Sequence, residues 1–430
     1  MGCGCAGLLM SRLRDLRCDP AQPGEAAATL EADLADGAWV RLLPSDVQPE
    51  RQVLDVDGLD WPPGPGVVLS TGGSSGGRQL CLHPLSNLDR SAQVCGSWLE
   101  TIGLEPASTL VWNPLPFQHV SGLMPWWRAR QWGADHAWIS PALIKQPALL
   151  LKHSLQHPFW QRRPMLLSLV PTQLRRLLAD PCGRSWLTEM AVIWVGGAAL
   201  PTDLADQSRD LGIRLAPCYG ATETAAMVTA QAPLDFLAGT GGCGRPLDGV
   251  RLRLNQQGAL AVHCDRLALA RLDGTGSLCA LSDANGWWHS ADLAQLEGSP
   301  TDPQLHLLGR IDDAIHSGGV TVFPSQLEQR LLREARKQGL PLDAVLLLGL
   351  VNREWGERLV ALVRWSSADV SSDAFDCLRR LVSEWSAPER PLDWIQCQEL
   401  ECSAAGKWER ARWQNWLSAH QSAQSSAQHF

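Results

Sequence analysis

Met165-Leu166-Leu167-Ser168-Leu169-Val170 runs directly into Pro171-Thr172-Gln173-Leu174-Arg175-Arg176-Leu177-Leu178, and the design repeats as Ala191-Val192-Ile193-Trp194-Val195, Gly196-Gly197 and Pro201–Asp210. Each apolar run is short enough to be a buried strand. Pro171 suits the first position of a helix, where its missing N–H is no loss, and Leu174, Leu177 and Leu178 then fall at i, i+3 and i+4 on one face. Strands alternating with helices predict a largely parallel α/β sheet.

Upstream, Val67-Val68-Leu69 is a β-branched run that stops at a Gly/Ser cluster, as a strand stops at a tight loop. The first sixty residues give a helix around Gly24–Asp36 and no other clear period. Downstream from Val250, turns at Gln257-Gly258, Asp273-Gly274 and Asn285-Gly286 separate short strands and predict a β-rich subdomain. Beyond Arg310 come a helix over Pro324–Gln338 stopped by Gly339, a strand Ala344–Val351, a helix Asp373–Trp385 and a strand Trp394–Leu400. The reading is a large N-terminal α/β domain with a β-rich subdomain, residues 1–311, and a small C-terminal α+β domain, residues 312–430, joined near Asp312. The Gln/Ser/Ala tail from Ala419 reads as loose.

Of 430 residues, 45 are acidic and 37 basic, so 45 − 37 leaves a charge of −8, which argues against non-specific nucleic-acid binding. With 45% hydrophobic and 19% charged residues the chain is not disordered. The longest uncharged stretch, Pro106–Trp127, contains Asn113, Gln118, His119 and several prolines, so no membrane span is expected. The N-terminus lacks the apolar run of a signal peptide, and the expected location is cytoplasmic. The 13 cysteines are scattered without a CxxC pair, apart from Cys3 and Cys5, and read as reduced buried thiols rather than metal ligands.

The loop Ser70–Gly77, STGGSSGG, follows a strand and offers backbone N–H and hydroxyl donors to oxygen anions, although it lacks the GK[ST] ending of a Walker loop. A flexible turn is the plain alternative. Further along come Tyr219-Gly220-Ala221-Thr222-Glu223, Ser290-Ala291-Asp292, Gly309-Arg310-Ile311-Asp312-Asp313, Ser317-Gly318-Gly319 and Ala405-Gly406-Lys407. Singly each reads as a turn, a cap or an ion pair. In this order, from about Gly66 to Arg412, they resemble the adenylate-forming acyl-CoA ligases, relatives of aryl-CoA ligases, luciferases and non-ribosomal adenylation domains. Thr71–Gly76 is similar to the family's TSGTTG loop, Tyr219–Glu223 to YGxTE, Ser290–Asp292 to TGD, Gly309–Asp313 to GRxDD and Ala405–Lys407 to its lysine loop.

The resemblance implies ATP, CoA and Mg²⁺ as cofactors and a small-molecule carboxylate as substrate. Thr71, Gly73, Ser74, Ser75 and Gly76 would hold the β- and γ-phosphates. Tyr219 would stack on adenine, with Gly197 and Gly220 beside the nucleotide. Thr222 would contact the α-phosphate and Glu223 would bind Mg²⁺. Asp292 would accept from the ribose hydroxyls with Arg310 nearby, and Lys407 would bring a cation to the reacting oxygens. Asp312 would be the hinge that removes Lys407 and brings Gly318 and Gly319 to the site. One departure stands out: Gln79 occupies the family's phosphate-loop lysine position, with Arg78 one residue earlier.

For the acid, Pro116–Leu123 resembles the family's PLFHxxGL segment, whose histidine, here His119, lines the acyl pocket. Ser168–Leu178 resembles SLVPTQLxRLL of o-succinylbenzoate–CoA ligases of menaquinone and phylloquinone synthesis, as does Gly196–Pro201. That likeness makes Ser168, Thr172 and Arg176 substrate-binding candidates, Arg176 for the remote carboxylate. Another aromatic or aryl-alkanoic acid, and a catalytically silent nucleotide binder on the same fold, are the competing readings.

Overall fold

The structure is a computed structural model that describes residues 13–46, 61–71, 79–272, 277–366, 373–402 and 408–427. Four sheets organise it. The central one has seven strands in the order Arg245–Pro246, Ala226–Ala230, Leu215–Ala221, Val192–Val195, Met165–Leu169, Leu110–Asn113 and Asp135–Trp138. From Leu215–Ala221 to the Asp135–Trp138 edge all pairings are parallel, as the strand–helix alternation predicts.

Alternation along these strands builds two cores. Leu167, Leu169, Ile193 and Val195 face one way and pack on Leu174, Leu177 and Leu178 of the helix Pro171–Leu178. Leu166, Val192 and Trp194 face the other way, against Val94, Cys95 and Leu99 of the helix Leu85–Thr101 and Ala129 of the helix Val120–Trp132. Because a parallel sheet is covered on both faces, its loops at one strand end are left to carry chemistry.

A second sheet has six strands: Leu13–Cys18, Trp39–Pro44, Gly66–Ser70, Leu80–Pro84, Ala270–Leu272 and Leu278–Ala280. Its first two strands are parallel and joined through the helix Pro23–Ala35. The sequence hides this unit, since Arg14, Asp15 and Arg17 interrupt the apolar pattern of Leu13–Cys18. The expected β-rich region is a four-stranded antiparallel sheet of Arg251–Leu254, Ala259–His263, Trp288–Ser299 and Asp302–Arg310. After the turn Ile311–Asp313, a five-stranded sheet forms from Val320–Val322, Ile315–Ser317, Gly356–Trp365, Leu342–Asn352 and Asp393–Gln396, with the helix Pro324–Lys337 packed on it.

Two local expectations are corrected. The last strand ends at Gln396, and Leu400 turns instead into a core with Trp413 and Leu417. Those two residues draw the tail into a helix, Arg410–Ala427, so the segment beyond Ala419 is helical to Ala427, with Trp416 stacked on His420 at 4.9 Å. Among the described residues, no helix is long and apolar enough to cross a membrane.

Candidate active site

The strand Leu215–Ala221 ends at Tyr219-Gly220-Ala221, and its chain turns through Thr222–Thr224 into the antiparallel strand Ala226–Ala230. Gly220 is required here: a Cβ would stand 2.1 Å from the Ala226 carbonyl oxygen across the pair. The turn is strained, with Ala225 at φ 50° and Ala226 at φ 81°. Thr224 Oγ1 holds it from inside, donating to the Ala226 carbonyl at 2.6 Å and accepting from Ala221 N–H at 3.0 Å.

Tyr219 is buried, and its hydroxyl donates to Asp292 Oδ2 at 2.6 Å. Arg310 Nη1 donates to the other oxygen of Asp292 at 3.1 Å, and Arg310 Nη2 reaches Asp312 at 2.8 Å. Burial, followed by the Asp292 carboxylate, pushes the Tyr219 phenol well above its usual range, so it stays a donor. Four residues from three separated motifs therefore form one connected polar network. Asp292 and Arg310 pair across neighbouring strands of the antiparallel sheet, which explains the spacing between their motifs.

Ser70 pairs with Leu80, and buried Thr71 donates its N–H to the Gln79 carbonyl at 2.8 Å. This closes the hairpin whose loop holds Gly73, Ser74, Ser75, Gly76 and Arg78; residues 72–78 lie outside the described residues. Lys407 does also. Gln79, at the lysine position, accepts at Oε1 from Arg271 Nη1 at 3.1 Å, so a cation from the neighbouring strand stands at the base of the loop. Arg271 was missed in the sequence because it reaches Gln79 only through strand pairing.

Glu223 is partly exposed. Burial first, and then the negative charge of Glu223, raises the Cys81 thiol well above its normal value, which places that carboxylate's field next to the loop hairpin. A partly exposed carboxylate next to the strand Leu80–Pro84 has the chemistry to take a hard divalent cation. His119 precedes the helix Val120–Trp132 and accepts the Gly122 and Leu123 N–H groups at its carbonyl, both at 2.9 Å. Ser168 pairs in register with Trp194. Thr172 and Arg176 are exposed on the helix Pro171–Leu178, while neighbouring Arg175 binds Asp203 at 3.1 Å. Gly197 takes φ 80° after the strand Val192–Val195. Gly318 and Gly319 turn between strands of the last sheet, at φ 58° and 78°.

Sequence reading also missed Arg128. It is 3% exposed, lies over the Trp194 ring at 5.6 Å, and has no partner for Nε or Nη2 among the described residues. Its charge partly offsets the burial that raises the Cys218 thiol, one residue before Tyr219. A buried guanidinium without a carboxylate is costly and calls for a compensating anion. The only sequence signal was a basic residue inside the Trp-rich run Trp126-Trp127-Arg128.

Residues 27–263, more than half of the chain, match the family model described as AMP-binding enzyme. A probable 2-succinylbenzoate–CoA ligase of Mycobacterium tuberculosis is 32% identical over 46% of this chain and 46% of its own length. The 2-succinylbenzoate–CoA ligase of Escherichia coli K12 is 30% identical over 65% of this chain and 54% of its own. The chain thus spans about half the length of the curated relatives it matches. Among solved structures, o-succinylbenzoate CoA synthetase (MenE) of Bacillus subtilis with the acyl-adenylate intermediate OSB-AMP superposes with TM-score 0.74 at 18% identity, covering 93% of this chain and 87% of that one. E. coli MenE with a bound OSB-AMS analogue gives 0.68 at 23% identity, covering 96% and 89%. These structures share the fold. With the motif geometry and the family match in agreement, the chain belongs to the AMP-binding enzyme family.

Proposed function

We propose that the protein is an ATP-dependent ligase that joins o-succinylbenzoate to CoA through an acyl-adenylate, releasing pyrophosphate and AMP, in the synthesis of a naphthoquinone such as menaquinone or phylloquinone. The aliphatic carboxylate attacks the α-phosphate beside Thr222, and pyrophosphate leaves toward the loop 71–76. The CoA thiolate then attacks the acyl carbon and displaces AMP. Mg²⁺ at Glu223 supplies counter-charge for the phosphate oxygens. The Tyr219–Asp292–Arg310 network supports a nucleoside site, with Asp292 oriented by two donors before ribose arrives. Lys407 contributes the cation for adenylation. Residues 312–430 act as a mobile unit turning about Asp312, bringing Gly318 and Gly319 toward the site for the thioester step.

The observation that supports this choice of substrate is Arg128, a buried cation whose Nε and Nη2 have no partner among the described residues, on the same sheet face as Trp194. Such a group favours an acid with a second carboxylate and disfavours a monocarboxylate, which would leave it uncompensated. The exposed Arg176 lacks that burial. Relatives named 2-succinylbenzoate–CoA ligase lend the reading further support.

The test is mass spectrometry of protein incubated with Mg-ATP, CoA and a panel of aromatic acids with one or two carboxylates. The o-succinylbenzoyl thioester with AMP is expected, and a thioester only from another acid overturns the substrate. Arg128→Met should raise KM for the dicarboxylate about 10- to 100-fold and spare a monocarboxylate analogue, whereas Arg176→Ala should change little.

A further inference from the structure

His83 has no exposed surface and lies in the strand Leu80–Pro84, the second arm of the loop hairpin, four residues beyond Gln79. Its Nε2 is 2.7 Å from the Thr222 carbonyl, an acceptor only, so the proton sits on Nε2. Its Nδ1 lies 3.4 Å from Asn87 Nδ2, which also donates to the Leu267 carbonyl at 2.7 Å. One residue further, Ala268 N–H donates to the Glu223 carbonyl at 2.8 Å. Ser91 Oγ, buried in the helix Leu85–Thr101, donates to the Ala225 carbonyl at 2.6 Å. His83, Asn87 and Ser91 are spaced four apart, and the contacts of His83 and Ser91 fall on a turn with two consecutive non-glycine residues at positive φ.

We infer that His83, supported by Asn87 and Ser91, is a positioning residue that clamps the strained turn Thr222–Ala226 and so aims the Thr222 and Glu223 side chains at the nucleotide phosphates. The inference rests on the reading of these two side chains as phosphate- and Mg²⁺-facing. It adds a mechanical link: the hairpin that carries the loop 71–79 and the turn that carries Glu223 are tied through one imidazole. A strained turn persists only where its surroundings over-determine it. Three side-chain bonds from outside and inside the turn, by His83, Ser91 and Thr224, serve that purpose here.

Three variants test it: His83→Phe, which keeps volume and removes the donor, His83→Gln, which restores a nitrogen at similar reach, and Ser91→Ala. Hydrogen exchange of the ligand-free protein should show amides in 222–227 exchanging about tenfold faster in His83→Phe and Ser91→Ala, with His83→Gln near wild type. Calorimetry without any acid should show Mg-ATP binding weakened about tenfold in His83→Phe, restored in His83→Gln, with the Mg²⁺ requirement raised in parallel. Equal behaviour of the Phe and Gln variants, or faster exchange spread over the whole sheet, overturns the clamp. If His83→Phe does not fold, Ser91→Ala carries the exchange test. A wild-type protein that binds Mg-ATP yet forms no thioester from any acid would overturn the proposed reaction and leave these readouts standing.

Discussion

An imidazole that donates to one carbonyl and accepts from an amide has no place for a second proton. Burial, only partly offset by the Thr222 carbonyl, accordingly lowers the His83 pKa to about 4 from 6.5. Below pH 6.5 the unfolded chain takes up this proton while the folded chain refuses it until about pH 4. Stability from this group is therefore complete above 6.5 and is lost as pH falls through that window, on the order of 3 kcal/mol in all. His136, partly buried and lowered to about 3 by desolvation, adds to the same slope and serves as an internal background. Chemical denaturation at pH 7, 5.5 and 4.5 should show a shallower loss for His83→Gln than for wild type; parallel slopes would mean that His83 is protonated in the fold. None of this was legible in Leu82-His83-Pro84, because a histidine's burial depends on what packs over it. The same holds for arginine: nothing in the sequence separates Arg128 from Arg176, yet Arg128 is buried and Arg176 is exposed.

At the scale of elements, the sequence announced what local rules govern. Strand, Pro171 and amphipathic helix followed from periodicity, and the structure places the helix at Pro171–Leu178. The turn Thr222–Ala226 was visible as a motif, but its strain was not, since Ala225-Ala226 carries no turn signal and would ordinarily favour a helix. Its geometry is imposed by the strand pairing on either side and by the bonds from His83 and Ser91. A left-handed alanine costs about 1–2 kcal/mol, and glycine's extra unfolded freedom costs about 0.4–1 kcal/mol. Ala226→Gly should therefore leave the melting temperature unchanged or raise it. Ala28→Gly, exposed in the helix Pro23–Ala35, should lower stability by about 1 kcal/mol. If both substitutions destabilise equally in thermal melts, the turn is not held at positive φ in solution.

Across the whole molecule, residues before and after the Ile311–Asp313 turn build separate sheets, and a charged contact joins them. Asp203, in the helix Thr202–Asp210, receives Arg175 from its own side at 3.1 Å and Arg336 from the helix Pro324–Lys337. Burial, and then the charge of Arg175, lowers the Arg336 pKa to about 10. Asp343, itself bound to Arg364 at 2.6 Å, adds negative charge that partly offsets this for both arginines. An ion pair with partly exposed partners holds such a junction only weakly and is screened by salt. Asp203→Asn leaves two cations facing each other. At low salt it should enlarge the radius of gyration measured by small-angle scattering and speed tryptic cleavage at Arg310. The contrast with wild type should shrink at high salt, where screening loosens the wild-type contact too. Arg336→Met should open the contact less, since it leaves no pair of facing cations, and the double variant should resemble Arg336→Met rather than sum the two effects, because both single substitutions break the same contact. Additive effects, or scattering profiles identical at every salt concentration, would show that the two sheet systems are held together by something other than Asp203.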